Sequence, residues 1–202
     1  SPTKFSEDLF LILKKENIKN PIFITHSYGL VPAAHYVAKT HNAQKIISIY
    51  GSNNFKDTIS SKFGYYLFQF ILRHNGLLYA TINEAKSKIL NKKILYMDFS
   101  KTKTSKEVSK VFTNQSNLEY VHASRIMAYR NLHTDISNEL SKITVPVINI
   151  IGKKDKIVTE KANHNFRKLL KDFKEIKIDG GHDDLIINPK KIFKLILNVL
   201  KD

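Results

Sequence analysis

The sequence predicts an α/β architecture: a mostly parallel sheet with helices on both faces and a helical insertion between its two halves. Three observations carry this. Short apolar segments alternate with amphipathic helical segments at both ends of the chain. The apolar segments are hydrophobic on both faces instead of alternating, as expected for strands covered by helices on either side. With 202 residues, 42% of them hydrophobic, the chain can build one core and leaves room for an inserted subdomain, not for two independent domains.

Taken in order, Ser6 with Glu7 and Asp8 opens a helix of about ten residues, with Phe5, Leu9, Ile12 and Leu13 repeating at three to four and a close near Asn17. Pro21-Ile22-Phe23-Ile24-Thr25 reads as a buried strand. A second helix from Tyr28 carries Val31, Ala34, Val37 and Ala38 on one face and tolerates Pro32 in its first turn, where the missing N–H is not needed. Ile46 to Tyr50 is the next strand, stopped by Gly51-Ser52-Asn53-Asn54. Residues 54–140 show no convincing strand and read as several helices, separated by Asn75-Gly76 and a polar stretch around Lys101 to Ser105. The pattern then returns: strand 145–151, helix 159–170, strand 175–178, Gly180-Gly181, and helix 189–200. The expected organisation is a core part over 1–53, a helical cap insertion over 54–140, and the rest of the core over 141–202.

Composition narrows the chemistry. The formal net charge is +15, from 33 Lys and Arg against 18 Asp and Glu. The lysines are scattered in pairs such as Lys14-Lys15, Lys92-Lys93, Lys153-Lys154 and Lys190-Lys191, with no block of five. That distribution is a solvated surface, not the clustered basic face of a nucleic-acid binder. No nucleic-acid partner is expected, and a weak contact with an anionic membrane surface is the most the lysines would add. Twelve Phe and nine Tyr argue against disorder. The absence of cysteine removes disulfides, thiolate metal sites and cysteine nucleophiles. There is no His-Glu-x-x-His, no paired acidic cluster and no phosphate-cradling glycine loop, so neither a metal nor a cofactor is expected. No apolar run approaches a membrane span, and the chain carries no signal core, so a cytoplasmic protein is expected.

Three reactive side chains fall at the carboxyl ends of predicted strands: Ser27 after 21–25, Asp155 after 145–151, and His182 after 175–178. In open α/β sheets that edge gathers the strand-to-helix loops and binds ligands. A serine hydroxyl becomes a nucleophile when an imidazole takes its proton, and a carboxylate holds that imidazole in the required tautomer. Ser27, His182 and Asp155 can fill those roles. Thr25-His26-Ser27-Tyr28-Gly29 is a version of the nucleophile elbow, whose following helix places its first N–H groups near a developing oxyanion.

These residues resemble those of a capped serine hydrolase of the α/β-hydrolase fold family, and the resemblance covers most of the chain. Ile143-Thr144-Val145-Pro146-Val147-Ile148-Asn149-Ile150-Ile151-Gly152-Lys153-Lys154-Asp155 is similar to the family's acid strand. Gly180-Gly181-His182, followed by Pro189 and an apolar helix, is similar to its histidine loop. The order Ser, Asp, His also matches, with a long first gap for the cap and a short second one. The resemblance implies the C-terminal part of the α/β-hydrolase fold and a cofactor-independent reaction. The expected reaction is cleavage of a carboxylic ester, small or lipid-like, through an acyl-enzyme. Tyr28 is expected to supply the oxyanion N–H. A serine nucleophile argues against the dehalogenase and epoxide-hydrolase branches; amidase, acyltransferase and C–C hydrolase stay open. The alternative is a non-catalytic ligand-binding module or an inactive fragment of such an enzyme.

Two departures shape further expectations. Thr25 is β-branched where a very small residue is usual, which predicts a looser turn. Family members generally have four strands before the elbow, whereas only one helix precedes the nucleophile strand here. The chain is therefore expected to be an N-terminally truncated piece, with strand 21–25 as an exposed edge.

Rival assignments are weaker. Asp135 is a second candidate acid on the cap side. His26 is expected to point away from the hydroxyl, and His35, His41 and His164 to sit on helix surfaces or ends. His74, His122 and His133 belong to the cap, and Asp183 and Asp184 to solvation or capping. In the apolar run from Phe63 to Leu72, packing is the plainer reading. Phe63, Tyr66 and Phe70 are the candidates for substrate contact.

Overall fold

A computed structural model describes residues 2–58, 62–74, 118–155, 157–158, 160–182 and 184–201. The strands are β1 (Ile22–His26), β2 (Lys45–Ile49), β3 (Val147–Gly152) and β4 (Phe173–Ile178). The helices, in chain order, are α1 (Pro2–Lys15), α2 (Leu30–Thr40), α3 (Lys62–His74), α4 (Leu118–Leu132), α5 (Ser137–Leu140), α6 (Glu160–Leu169), α7 (Asp184–Ile187) and α8 (Pro189–Lys201). They fall into two compact units, Ser1–Ser60 with His133–Asp202, and Ser61–Leu132.

The first unit is a four-stranded parallel sheet in the order β1-β2-β3-β4. Its register explains the core. Phe23, Ile46, Val147 and Phe173 form one row across the sheet and face Leu13, Leu30, Val31, Val37, Leu140 and Phe166 from the helices. One residue further along, side chains point to the opposite face, where Ile47, Ile49, Ile148 and Ile150 meet Ile192, Ile196 and Val199 of α8. Burial on both faces is why the central strands β2 and β3 are mostly apolar, whereas β4 at the edge of the sheet carries Lys174, Glu175 and Lys177.

Several boundaries differ from expectation for identifiable reasons. β2 stops at Ile49 because Tyr50 has a φ of 55° and leaves the extended conformation. β3 begins at Val147, after Pro146, which has no N–H to give to a ladder. α1 spans fourteen residues instead of about ten. Its inward face is Ser6, Leu9 and Leu13, while Phe5 and Ile12, expected inside, are exposed. They stand one residue off the inward stripe, about 100° around the helix.

The insertion is also shorter than 54–140. Residues 54–58 and 133–140 belong to the first unit, tied there by polar contacts. Asn54 bridges to Asp135, the Asn53 carbonyl accepts from Ile136 N–H at 2.9 Å, and Asn53 Nδ2 donates to Ser137 Oγ at 2.9 Å. Asn165 Nδ2 on α6 donates to Asp57 Oδ2 at 2.9 Å. Asn75-Gly76 and the stretch around Lys101 to Ser105 lie outside the described residues.

In the second unit α3 packs against α4 and buries Tyr65, Ile71 and Leu72. Its other face exposes Phe63, Tyr66, Leu67 and Phe70. No helix among the described residues is long and apolar enough to cross a membrane.

Just below the carboxyl rim, the first unit's apolar face gives way to a polar row, Thr25, Ser48, Asn149 and Glu175, in register across all four strands. Asn149 Nδ2 donates to Asn163 Oδ1 of α6 at 3.3 Å, and Arg167 pairs with Glu175 at 2.9 Å. Thr25 Oγ1, Ser48 Oγ and Asn149 Oδ1 are buried and find no partner among the described residues. This contrast sets two expectations for urea denaturation. Phe166→Ala, which empties a fully buried ring site beside Phe173, should cost about 3–5 kcal/mol. Ser48→Ala, which removes a partnerless hydroxyl, should be neutral or stabilise by up to about 1 kcal/mol.

Candidate active site

Ser27 follows β1 and opens a single 3₁₀ turn, Ser27–Gly29, before α2 begins at Leu30. The chain is extended at His26 and right-handed helical at Leu30. Ser27 makes the change of direction with a φ of 50°. A non-glycine residue in that region stores about 1–3 kcal/mol of strain, and the surroundings must hold it there. Here they do: Leu30 and Val31 are fully buried and anchor the helix one turn on. Thr25 does not loosen the turn. An ideal Cβ placed on Gly29 would stand 3.8 Å from Thr25 Cβ, an ordinary contact. The branched residue leaves room across the turn even for a methyl group at position 29.

Asp155 lies in the loop after β3, its side chain 1% exposed. Oδ1 accepts from the N–H groups of Ile157 at 2.7 Å and Val158 at 2.9 Å. Oδ2 faces His182 Nδ1 at 3.0 Å. Burial is the largest influence on this carboxyl and pushes its pKa up. The hydrogen bonds from His182, Val158 and Ile157 together outweigh it and hold the pKa below its ordinary value of 3.8.

His182 completes the arrangement, its Nε2 3.0 Å from Ser27 Oγ. Its loop is locked to the Asp155 loop main chain to main chain: Lys153 N–H donates to Ile178 O at 2.9 Å and Lys154 N–H to Gly180 O at 2.8 Å. Gly152 permits the approach, and Gly180 leaves room for the Asp184 carboxylate. A Cβ on Gly152 would run into the Gly180 carbonyl, and one on Gly180 into the Asp184 carboxylate.

The structure thus brings Ser27, His182 and Asp155 into one hydrogen-bonded chain at the carboxyl rim of β1, β3 and β4. Tyr28 sits in the turn immediately after Ser27, its side chain packed against the core. Phe63, Tyr66 and Phe70 lie on the exposed face of α3 in the second unit. The rival acid Asp135 is engaged elsewhere: Oδ1 accepts from Ser137 N and Oγ, and Oδ2 from Asn54 Nδ2. His35 pairs with Glu139 at 3.5 Å, and His41 is the left-handed C-cap of α2. His74, His133 and His164 are exposed. Asp183 and the His122 side chain lie outside the described residues. Asp184 buries its carboxylate against Gly180, 3.8 Å from Lys191 Nζ. Sequence reasoning missed Tyr50, whose ring stands 5.5 Å from that of His182. It was read only as the end of a strand. Among the described residues no group of three or more His, Asp or Glu side chains is placed to hold a metal ion.

Among solved structures, the chain is similar over its whole length to the enol-lactonase from Burkholderia xenovorans LB400, at 15% identity and a TM-score of 0.70, covering 74% of that chain. It is similar to an esterase from Exiguobacterium antarcticum at 15% identity and a TM-score of 0.70, again covering 74% of that chain. A hydrolase from Oleispira antarctica matches at 16% identity and a TM-score of 0.71, with 75% of that chain covered. No family model and no curated protein matches the sequence. The chain has the α/β-hydrolase fold.

The two loop contacts generate two expectations. Gly152→Ala should cost about 1–3 kcal/mol in chemical denaturation, because its methyl meets main chain that has nowhere to move. Asp155 binds its proton less tightly in the folded than in the unfolded chain. It therefore contributes stability above its ordinary pKa of 3.8 that is lost as pH falls through the lowered value. Denaturation midpoints followed from about pH 6 to about pH 3 should fall less steeply for Asp155→Asn than for the native protein.

Proposed function

We propose that the protein is a serine hydrolase that cleaves a carboxylic ester, small or lipid-like, through an acyl-enzyme. The observation that carries this reading is the geometry at His182. One ring nitrogen lies 3.0 Å from Ser27 Oγ and the other 3.0 Å from Asp155 Oδ2. The strained backbone at Ser27 and the α/β-hydrolase fold support it.

In this scheme Ser27 Oγ attacks the ester carbonyl carbon while His182 Nε2 takes the hydroxyl proton. Asp155, acceptor-only when ionised, holds the Nδ1–H and stabilises the imidazolium that forms. The Tyr28 N–H donates to the oxyanion of the tetrahedral intermediate. Collapse breaks the ester C–O bond, His182 returns the proton to the leaving alkoxide, and the acyl group stays on Ser27. Water then enters and loses a proton to the same nitrogen as its oxygen bonds to the acyl carbon; collapse breaks the bond from that carbon to Ser27 Oγ, His182 returns the proton to Oγ, and the acid leaves. The lowered Asp155 pKa suits its role, since the carboxylate stays ionised at neutral pH.

The test is labelling with a fluorophosphonate probe followed by peptide mapping, alongside hydrolysis of p-nitrophenyl esters of increasing chain length. Labelling is expected at Ser27 and absent in Ser27→Ala. His182→Ala should lower ester turnover by about a thousandfold or more. A native protein that is folded yet neither labels nor turns over any ester would sink the hydrolase reading and leave a ligand-binding module in its place.

A further inference from the structure

Two residues that the reaction scheme leaves unused face His182. Tyr50 is fully buried although it stands at the rim, directly after β2. Its φ of 55° is a conformation that a bulky aromatic residue adopts only when its surroundings impose it. The register shows what that conformation achieves. His26, Ile49 and Ile150 lie in one row on one face of the sheet. In an extended strand the residue after Ile49 would face the other way. The left-handed turn cancels the alternation, and the Tyr50 ring joins Ile49 and Ile150 in the same cluster.

There the ring meets His26 at 6.0 Å and His182 at 5.5 Å between centroids, with His26 and His182 themselves 5.3 Å apart. His26 Nε2 lies 3.4 Å from the His182 main-chain oxygen. Tyr50 also fills the space beside the acid strand, where an ideal Cβ on Gly152 would stand 3.1 Å from its Cε1. His182 needs such support. It follows Gly180 and Gly181, residues whose backbones resist rotation least, and its two hydrogen bonds act only at the ring edges.

We propose that Tyr50 is a positioning residue whose ring, backed by His26, holds the His182 imidazole in the orientation that reaches Ser27 and Asp155 together. This rests on the serine-hydrolase reading, but the alignment is a property of the folded protein and is measurable without turnover. The ring, not the hydroxyl, does the holding, so phenylalanine should serve at position 50 and a flexible aliphatic side chain should not.

The experiment compares Tyr50→Phe, Tyr50→Leu and His26→Leu with the native protein, folding being checked by circular dichroism. One readout is fluorophosphonate inactivation at Ser27, resolved into probe affinity and maximal rate. The other is the proton NMR resonance of the His182 Nδ1–H bound to Asp155, assigned by its loss in Asp155→Asn. Tyr50→Phe should match the native protein within about twofold in both inactivation constants and keep the resonance. Tyr50→Leu should lower the maximal rate by about tenfold to a hundredfold with affinity unchanged, as expected for a misaligned group, and lose the resonance to solvent exchange. His26→Leu should move both readouts the same way by less. A folded Tyr50→Leu that keeps native rate and resonance overturns the proposal, and so does a Tyr50→Phe that loses them. If Tyr50→Leu does not fold, His26→Leu decides: a weakened resonance supports the bracket and an unchanged one overturns it. If the native protein does not label, the hydrolase reading falls, while the resonance still decides whether Tyr50 positions His182.

Discussion

How closely the loop after β3 approaches the loop after β4 governs the rest of the site, and backbone sets that distance. Gly152 lies against the Gly180 carbonyl with no room for a methyl group between them. The hydrogen bonds from Lys153 and Lys154 to Ile178 and Gly180 carry the β3–β4 pairing beyond the ends of both strands. Asp155 and His182 therefore leave the sheet at a spacing fixed by main-chain geometry before their side chains interact at all. Ser27 reaches the same place from β1, two strands away from β3, because the parallel register brings every carboxyl end to one rim. The 3.0 Å contacts at His182 are the consequence of that alignment, not its cause.

Holding the rim this way opposes local preference. Ser27 and Tyr50 both adopt left-handed backbone, at about 1–3 kcal/mol each. Against a total stability of about 5–15 kcal/mol for an ordinary domain, that is a large share. What sustains it is burial on both faces of the sheet. Leu30 and Val31 fix the start of α2 behind Ser27, and Tyr50 belongs to the buried cluster that holds Ile49, Ile150 and Ile192. Strain at the rim and close packing in the core are two sides of one arrangement.

Much of this was legible in the sequence, and the parts that were not share a physical reason. The strands could be read because burial makes them short, mostly apolar segments between helices, and Ser27, Asp155 and His182 because each follows one of those strands. The inward face of α1 could not: Phe5, Leu9, Ile12 and Leu13 fit two helical faces one residue apart, and the true one carries a buried Ser6. The edges of the insertion were hidden because the groups that tie 54–58 and 133–140 to the core are Asn, Asp and Ser, which as letters look like loop. The bulk of Thr25 suggests a looser turn in the sequence, yet its Cβ stands at ordinary contact distance from where a Cβ at position 29 would lie. Tyr50 gave no signal, since nothing in a tyrosine before Gly51 says that the tyrosine, and not the glycine, takes the positive φ.

The distribution of these departures is itself informative. Among the described residues, five that are not glycine have positive φ, and burial separates them into two groups. Asn17, Asn20 and His41 are exposed, in turns or at a helix end, where asparagine and a C-cap tolerate that conformation. Ser27 and Tyr50 are half-buried and buried, stand directly after neighbouring strands, and lie above the row in which Thr25, Ser48 and Asn149 keep partnerless buried oxygens. Each of those features weakens the fold, and an apolar row with ordinary turns above it would be at least as stable. Natural sequences violate local rules mainly where function requires it. The clustering of strain and unsatisfied polarity at this one end of the sheet therefore supports the proposed site independently of the hydrogen bonds that join Ser27, His182 and Asp155.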